Sequence, residues 1–189
     1  MLKDKKIGFA FTGSFYYYRV VIQKVRQLVE MEADVIPIMS FNSYELNKSI
    51  EKDVINEIEK ITSNKVIHTI EEAEAIGFKN LTDIIIVAPC TGNTLAKLAH
   101  GISDTPVTVA VKSNLRNENN VVIALSTNDA LSTNAVNIGQ LLNRKHFYFV
   151  PFRQFNPITN PNSLAFDAEY IIPCIEKAIC FEQIQPILL

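Results

Sequence analysis

Five short apolar runs, separated by longer segments with helical periodicity, constrain the fold of this chain most strongly. The runs are rich in β-branched and aromatic residues and span 5–11, 33–40, 83–89, 121–126 and 147–152. Strands without a polar face are typical of a parallel sheet that helices cover on both sides. The sequence therefore predicts an α/β fold, a three-layer Rossmann-like or flavodoxin-like open parallel sheet with helices on both faces.

The segments between these runs supply the predicted helices, which span 15–31, 49–62, 93–100, 132–142 and 167–180. In the first two, apolar residues recur every three or four positions. Gly101 follows the third helix as a typical terminating residue, and Pro173 lies near the first turns of the last helix or kinks it.

The carboxyl-terminal third is less regular but continues the same domain. Residues 151–166 contain three prolines and several asparagines, and we expect an ordered loop or flap there because a helix follows it. The apolar tail that ends in Leu189 must lie in a groove of this chain or of a neighbouring protomer. We therefore expect a single domain over 1–189, with 167–189 forming a carboxyl-terminal helix and tail.

Composition limits the classes of partner. Lys and Arg number 18 against 20 Asp and Glu, and this net charge of −2 gives no reason to expect nucleic acid or a membrane surface. No stretch approaches the roughly 18 apolar residues of a membrane span. The three cysteines lack metal-ligand spacing and fit a reducing compartment. We expect a cytoplasmic protein without a metal, whose partner is a small molecule or another protein.

Small polar residues follow several of the apolar runs, at the strand ends where open parallel sheets bind ligands. Glycine allows a close backbone approach, and helix N-termini favour anions. Each loop alone more often consists of ordinary helix caps than of ligand-binding residues, but three such loops together favour a site. The absence of G-x-G-x-x-G and Walker motifs excludes a dinucleotide fingerprint and a Walker phosphate loop, and it leaves open a mononucleotide held by hydroxyls and helix ends. The candidate cofactor-binding residues are Thr12, Gly13, Ser14, Ser40, Pro89, Thr91, Gly92, Asn93, Thr94, Ser126 and Asn128.

One segment, APCTGNTLAKLAHGISD at 88–104, resembles the PASANT region of the FMN-binding flavoprotein family of cysteine decarboxylases and flavin prenyltransferases. Pro89, Asn93 and Thr94 match its strongest positions. The TGS at 12–14 is similar to the family's first phosphate-side loop, and ALSTNDAL retains Asn128 of a Pro-Ala-Met-Asn-type motif. Together with KSNLRN, NPITNPNSL and QPILL in this order, these motifs resemble the family of dipicolinate synthase B subunits along nearly the whole chain.

That resemblance implies a protein that works with the dehydrogenase-like A subunit of dipicolinate synthase to oxidise dihydrodipicolinate to dipicolinate, pyridine-2,6-dicarboxylate, during sporulation. Aromatisation requires an electron acceptor, either FMN here or NADP through the partner. Family members assemble into trimers or their multiples, so the resemblance also implies a homo-oligomer. The alternatives are a noncatalytic binding or assembly subunit that has lost flavin, and a free-standing FMN-dependent decarboxylase or prenyltransferase.

Other residues bear on these alternatives, although none is assigned as catalytic. The histidines, His68, His100 and His146, are predicted at strand edges or a helix end and not in the loops where the family's decarboxylases carry one. Cys90 is either a nucleophile or a small buried hydrophobe. The tyrosines at 16–18 either stack on a ring or close the pocket.

A dicarboxylate substrate would require cations. Arg19, Lys112, Arg116 and Arg153 lie in or near the predicted ligand-side loops. Arg116 and Arg153 are the preferred carboxylate candidates, because arginine binds carboxylates through two parallel hydrogen bonds. The alternative is that these residues are solvated surface charges.

Overall fold

The computed structural model describes residues 1–50 and 52–189, and the side chains outside 47–53. Within this part of the chain seven strands form one sheet: β1 Lys6–Phe11, β2 Asp34–Met39, β3 Ile84–Cys90, β4 Asn120–Thr127, β5 Phe147–Phe149, β6 Phe152–Gln154 and β7 Leu164–Phe166. The first five are parallel in the order β2-β1-β3-β4-β5. This confirms the predicted parallel α/β sheet, whose strand order reverses between β1 and β3.

Helices cover both faces of the sheet. Those in the described chain are α1 Tyr18–Glu30, α2 Phe41–Ile50, α3 Lys52–Thr62, α4 Ile70–Phe78, α5 Gly92–His100, α6 Pro106–Arg116, α7 Ala135–Leu142 and α8 Ile171–Ile179. Alternate residues of β3 enter opposite cores: Ile84 and Ile86 pack in the core that contains α1, α3 and α8, whereas Ile85 and Val87 pack against α4 to α7. A strand buried on both faces explains the unbroken apolar run.

Two of these helices have no counterpart in the prediction. Both begin with a capping box, in which an N-cap side chain and the third helical residue bond reciprocally to backbone N–H groups. Thr69 caps α4 in this way and Thr105 caps α6, where Pro106 occupies the first turn. The helix predicted at 49–62 corresponds to α3 and the end of α2, and its Glu51 lies outside the described residues.

The strand predicted at 147–152 is interrupted, because Pro151 lies between β5 and β6 and has no N–H to donate. The predicted flap is an antiparallel hairpin of β6 and β7, and β7 pairs with Ser126 and Thr127 at the carboxyl end of β4. The flap is thus part of the sheet, and its loop lies over the carboxyl edge.

The apolar tail pairs with its own chain through the backbone, and Ile187 packs against the core, whereas the side chains of Leu188 and Leu189 stay exposed. Phe152 of β6 donates its N–H to Ile187 and accepts one from Leu189, at 3.0 and 3.1 Å, so the tail runs along the outer side of β6. Among the described residues, no helix has the length and apolar character that a membrane span needs.

Candidate functional site

The carboxyl ends of the central strands gather most of the predicted ligand residues at one edge, but in two cavities. The first, which we call the Ser40 cavity, has a volume of about 490 Å³ and is lined by Thr12, Gly13, Ser40, Phe41, Asn42, Thr91, Asn93, Thr94, Lys97, Asp104 and Thr105. The second, the Tyr17 cavity, has a volume of about 470 Å³ and is lined by Ser14, Phe15, Tyr16, Tyr17, Ser126, Asn128, Phe155, Asn160, Ser163, Leu164 and Ala165. Gly13 and Ser14 are consecutive residues that face different cavities.

Capping residues of three helices line the Ser40 cavity. The Ser40 hydroxyl accepts the Ser43 N–H at the start of α2, at 3.3 Å, and the Thr91 hydroxyl accepts the Thr94 N–H at the start of α5, at 3.4 Å. Thr105 caps α6 in the same wall. The first N–H groups of a helix have no intrahelical acceptor, and the helix dipole makes that end partially positive. Each cap satisfies one N–H group, so the donors that the cavity offers to an anion are the other N–H groups of these first turns.

Thr12 joins two strand ends at the wall of the Ser40 cavity. Its buried hydroxyl donates to the Pro89 carbonyl at 2.7 Å and accepts the Thr91 N–H at 3.1 Å. Pro89 itself follows a cis peptide bond within β3. Both residues join the end of β1 to the loop after β3, which fixes the position of the α5 N-terminus.

Gly13 leaves open space in the Ser40 cavity. A Cβ atom built there would have no neighbour nearer than the Thr91 Cγ2, at 3.9 Å. Asn93 is exposed at the first turn of α5. Among the described lining residues Asp104 alone is acidic, and it pairs with Lys97 at 2.8 Å. Open backbone, neutral donors and a neutralised carboxylate form a donor set that fits a phosphate group, such as that of FMN.

Gly92 has a packing role. A Cβ atom there would lie 2.5 Å from the Thr127 Oγ1, 2.6 Å from the Asn134 Nδ2 and 2.9 Å from an Asp129 oxygen. These side chains form one network, because Thr127 and Asn134 both donate to the Asp129 carboxylate. The missing side chain at Gly92 thus lets α5 approach the loop after β4.

The three consecutive tyrosines occupy three different environments. Tyr18 is buried, with its hydroxyl bonded to Ser43 and to the Thr12 carbonyl. Tyr17 forms a wall of the Tyr17 cavity, where its ring lies 5.0 Å from that of Phe166. Burial raises the pKa of Tyr17 against the opposing effect of a hydrogen bond with Ser126, so the phenol stays neutral at physiological pH. Tyr16 lies at the rim and is 82% exposed.

The remaining polar residues of the Tyr17 cavity bond to one another. Ser14 donates to the Ser126 carbonyl at 3.4 Å. Across the cavity, Ser163 of the hairpin donates to the Asn128 side chain at 3.3 Å. These contacts tie the loops after β1 and β4 to the hairpin, and they leave an aromatic cavity with neutral polar groups.

The predicted carboxylate-binding cations do not join these cavities. Arg116 and Lys112 lie on α6 and line a separate cavity toward the amino-terminal edge of the sheet, so their placement among the ligand-side loops was wrong. Arg153 forms an ion pair with Asp167. Arg19 is on α1 beside a surface depression. Among the described residues that line the Tyr17 cavity, none is Lys or Arg.

Cys90 and the histidines give no nucleophile within either cavity. Cys90 is fully buried, and burial raises the pKa of its thiol far above the ordinary value. His100 lies in the last turn of α5, as predicted, and His146 bonds to Asn120 at 2.8 Å.

His68 lies beside a strand edge, as predicted, and its ring has an aromatic partner as well. It follows Ile67, which bridges Ile38 of β2, and its ring stacks on Tyr44 of α2 with centroids 3.8 Å apart. A histidine therefore does lie beside the end of the second strand, although it lines neither cavity in the described structure.

Several lining residues escaped the sequence reasoning, and some had a visible signal. Thr105 precedes a proline and lies three residues before Thr108, a pattern that marks a helix start. Asn42 follows the already noted Ser40. Phe155 and Asn160 had no such signal, because only the pairing of β7 with β4 brings their loop to this edge.

Comparison with known proteins agrees with this architecture. Residues 1–175 match the family model described as Flavoprotein. The chain is 39% identical over 189 residues to the B subunit of dipicolinate synthase of Bacillus subtilis (strain 168), covering 99% of this chain and 94% of that protein.

Solved structures give the same result. The crystal structure of the dipicolinate synthase B subunit from Bacillus halodurans C superposes with a TM-score of 0.92 at 37% identity, over 100% of this chain and 97% of that one. The FMN-dependent cysteine decarboxylase SpaF shares the fold, with a TM-score of 0.71 at 23% identity over 95% of this chain and 98% of its own. The chain therefore belongs to the Flavoprotein family.

Proposed function

We propose that this chain is the B subunit of a dipicolinate synthase and that, with the dehydrogenase-like A subunit, it oxidises dihydrodipicolinate to dipicolinate during sporulation in the cytoplasm. The observation that carries the proposal is the 39% identity to the dipicolinate synthase B subunit over 99% of the chain. The two cavities at the carboxyl edge support it, since they offer an anion site beside an aromatic site of similar size.

The Ser40 cavity is proposed to hold the phosphate of FMN. Gly13 provides backbone access, and Asn93 with the first turns of α2 and α5 provides donors. When bound, FMN supplies the acceptor for the two electrons that aromatisation releases. The residues of this chain bind the phosphate and position the helix ends around it. NADP bound by the dehydrogenase-like partner is the alternative acceptor.

The Tyr17 cavity is proposed to hold the planar ring of the cofactor or the substrate. Tyr17 supplies an aromatic wall that stays uncharged, and Asn128 and Ser163 supply polar groups. The cations that a dicarboxylate needs are absent from the described lining, so we propose that a second protein chain supplies them. Exposed Tyr16, Phe155 and Ile158, at 82%, 64% and 90%, favour a covered surface there, either by the dehydrogenase-like partner or in a homo-oligomer.

The absence of cations from the described lining of the Tyr17 cavity also favours a second candidate function, that of a noncatalytic assembly subunit. Among the described residues, the Tyr17 cavity is lined by no cation, carboxylate, histidine or cysteine. In this case the chain would organise the dehydrogenase-like partner, which would carry out the oxidation with its own nicotinamide.

One experiment separates the two candidates. The chain is purified alone and with the dehydrogenase-like partner. Its visible spectrum is recorded for the flavin absorbance at about 450 nm. Oxidation of dihydrodipicolinate is then assayed with and without added FMN. Flavin retained through gel filtration, together with FMN-dependent activity of the complex, supports the flavoprotein function. If the chain is colourless and does not bind added FMN, yet raises the oxidation activity of its partner, the assembly function is supported. Unchanged activity of the partner without this chain overturns both.

A further inference from the structure

A third cavity, which we call the Arg116 cavity, lies between α5, α6 and the start of β5, away from the carboxyl edge. Its volume is about 350 Å³, and it is lined by Leu98, Gly101, Ile102, Ser103, Thr108, Val111, Lys112, Leu115, Arg116, Arg144 and Phe147. Arg116 ends α6 and Arg144 precedes β5, so the cavity extends toward the amino-terminal ends of the strands.

The walls of this cavity are apolar. One face of α6 contributes Val111 and Leu115, four residues apart and therefore on the same side of the helix. Leu98 of α5 and Phe147 of β5 close the other sides. A cavity of this size falls within the range of about 300–1,000 Å³ that is usual for small-molecule sites, and its apolar walls would bury a compact apolar body.

The polar groups around it are cationic. Lys112, Arg116 and Arg144 line the cavity, and no Asp or Glu is among its described lining residues. Lys112 bonds to the hydroxyl of Ser103 at 3.1 Å, and Arg144 bonds to the Leu98 carbonyl at 3.2 Å, so both partners are neutral. Arg116 has no ion pair within the described part of the chain.

This concentration of charge differs from the rest of the molecule. The whole chain carries a net charge of −2, and other cations such as Lys97 and Lys177 pair with nearby carboxylates. Helix C-termini favour cations, and this preference explains the position of Arg116 and, separately, that of Arg144. It does not account for Lys112, which lies one turn further inside α6 and points to the same cavity.

We propose that the Arg116 cavity binds a small organic anion that has a compact apolar body, about one ring in size, and a carboxylate or phosphate head. The apolar body would lie against Val111, Leu115 and Phe147. The head would accept hydrogen bonds from Arg116 and Arg144, whose planar guanidinium groups match either oxyanion.

The test must distinguish this cavity from the Ser40 cavity, because the loop between α5 and α6 contributes residues to both. Gly101 to Ser103 line the Arg116 cavity, whereas Asp104 and Thr105 line the Ser40 cavity. Benzoate and phenyl phosphate are suitable anionic probes, and benzylamine is a cation of similar shape. Binding of each probe is measured by isothermal titration calorimetry, with and without saturating FMN.

The variants are chosen to change charge and space separately. The double substitution Arg116→Gln with Arg144→Gln removes two cations, and Lys145→Gln is the control because Lys145 is an exposed neighbour outside the lining. Ile102→Trp fills the cavity from its mouth, where Ile102 is 48% exposed. Melting temperatures of all variants are compared with that of the parent protein.

We expect both anions to bind the parent and the control, and to lose at least about tenfold in affinity in the double variant and in Ile102→Trp. Tighter binding of benzoate assigns a carboxylate head and tighter binding of phenyl phosphate a phosphate head, and either result supports the proposal. Equal affinity in the double variant, equal binding of benzylamine, competition by FMN or no saturable binding of either anion overturns it.

Discussion

The Ser40 and Tyr17 cavities lie at the same edge of the sheet and have nearly the same volume, about 490 and 470 Å³, but they offer opposite chemistry. The Ser40 cavity is lined by caps of three helices and by a paired Lys97 and Asp104. The Tyr17 cavity is lined by aromatic rings, hydroxyls and amides. The difference arises from the type of connection that leaves each strand.

Helices begin directly after β2 and β3, so their partially positive ends reach the Ser40 cavity. After β1 the chain makes a 3₁₀ turn over Phe15–Tyr17, and the end of β4 pairs with the hairpin strand β7. These connections bring aromatic rings and side-chain amides to the Tyr17 cavity, and α1, which also begins beside it at Tyr18, has no side-chain cap there. In the Ser40 cavity small polar residues cap helix starts, whereas Ser14 and Tyr17 make no side-chain cap bond, and this difference is why we propose the Ser40 cavity as the anion site.

Substitution of Gly92 and of Gly13 by alanine should separate the effect of packing at this edge on stability from its effect on ligand binding. Gly92→Ala places a methyl group within 2.5–2.9 Å of Thr127, Asn134 and Asp129. We expect a loss of about 2 kcal/mol and a melting temperature lower by roughly 4–8 °C. Gly13→Ala meets nothing nearer than 3.9 Å. It should keep the melting temperature but weaken FMN binding about tenfold, because the methyl group enters the Ser40 cavity.

Thermal unfolding and FMN titration of both variants measure this contrast. A Gly92→Ala protein that melts with the parent would show that the loop after β4 moves away at no cost. A Gly13→Ala protein with parental FMN affinity would remove the Ser40 cavity as the phosphate site.

The sheet was predictable because each parallel strand is apolar along its own length, and this signal is local. The roles of Thr12 and Gly92 could not be predicted in this way, because they depend on contacts with residues distant in sequence. Thr12 bonds to Pro89 across 77 residues, and Gly92 packs against side chains at 127–134. Both sequence positions resemble ligand-binding residues, because a polar or small residue at a strand end serves packing and binding equally well. Only the tertiary contacts tell these roles apart.

Arg116 illustrates how one missed helix relocates a residue. Without α6, the segment KSNLRN reads as a loop near the ligand. Thr105 and Pro106 give the start of α6, and 11 helical residues then carry Arg116 about 15 Å along the helix axis, away from the Ser40 cavity. Recognition of the capping box would have corrected this assignment from the sequence alone.

A second pair of variants should separate a residue that binds from one that caps. Asn93 is exposed and its removal leaves α5 intact, so Asn93→Ala should lower FMN affinity roughly fivefold, the effect of one lost hydrogen bond of about 1 kcal/mol, at unchanged melting temperature. Thr91→Ala removes the N-cap of α5 and should cost about 1 kcal/mol of stability, or roughly 2–4 °C.

Riboflavin, which lacks the phosphate, provides the internal control for Asn93→Ala, and Gln140→Ala on the exposed face of α7 provides the control variant. Flavin fluorescence titrations give both affinities. If Asn93→Ala weakens riboflavin as much as FMN, the residue contacts the ring side and the two cavities have been assigned in the wrong order.

The smallest expected effect concerns the carboxylate that holds the loop between Thr127 and Asn134. The hydrogen bond from Thr127, reinforced by that from Asn134, holds the pKa of Asp129 below its ordinary value, although partial burial opposes this. A carboxyl group with a lowered folded-state pKa stabilises the protein above its unfolded pKa of about 3.9, and this contribution is lost as the pH falls through the folded value. Because Asp129 is partly solvated, the contribution should stay below about 1 kcal/mol.

Urea unfolding between about pH 6 and pH 3 should therefore show a parental midpoint that declines more steeply than that of Asp129→Asn. Parallel declines would mean that this carboxylate does not fasten the loop beside the Tyr17 cavity, and that Gly92 packs against a network held by its amides and hydroxyls alone.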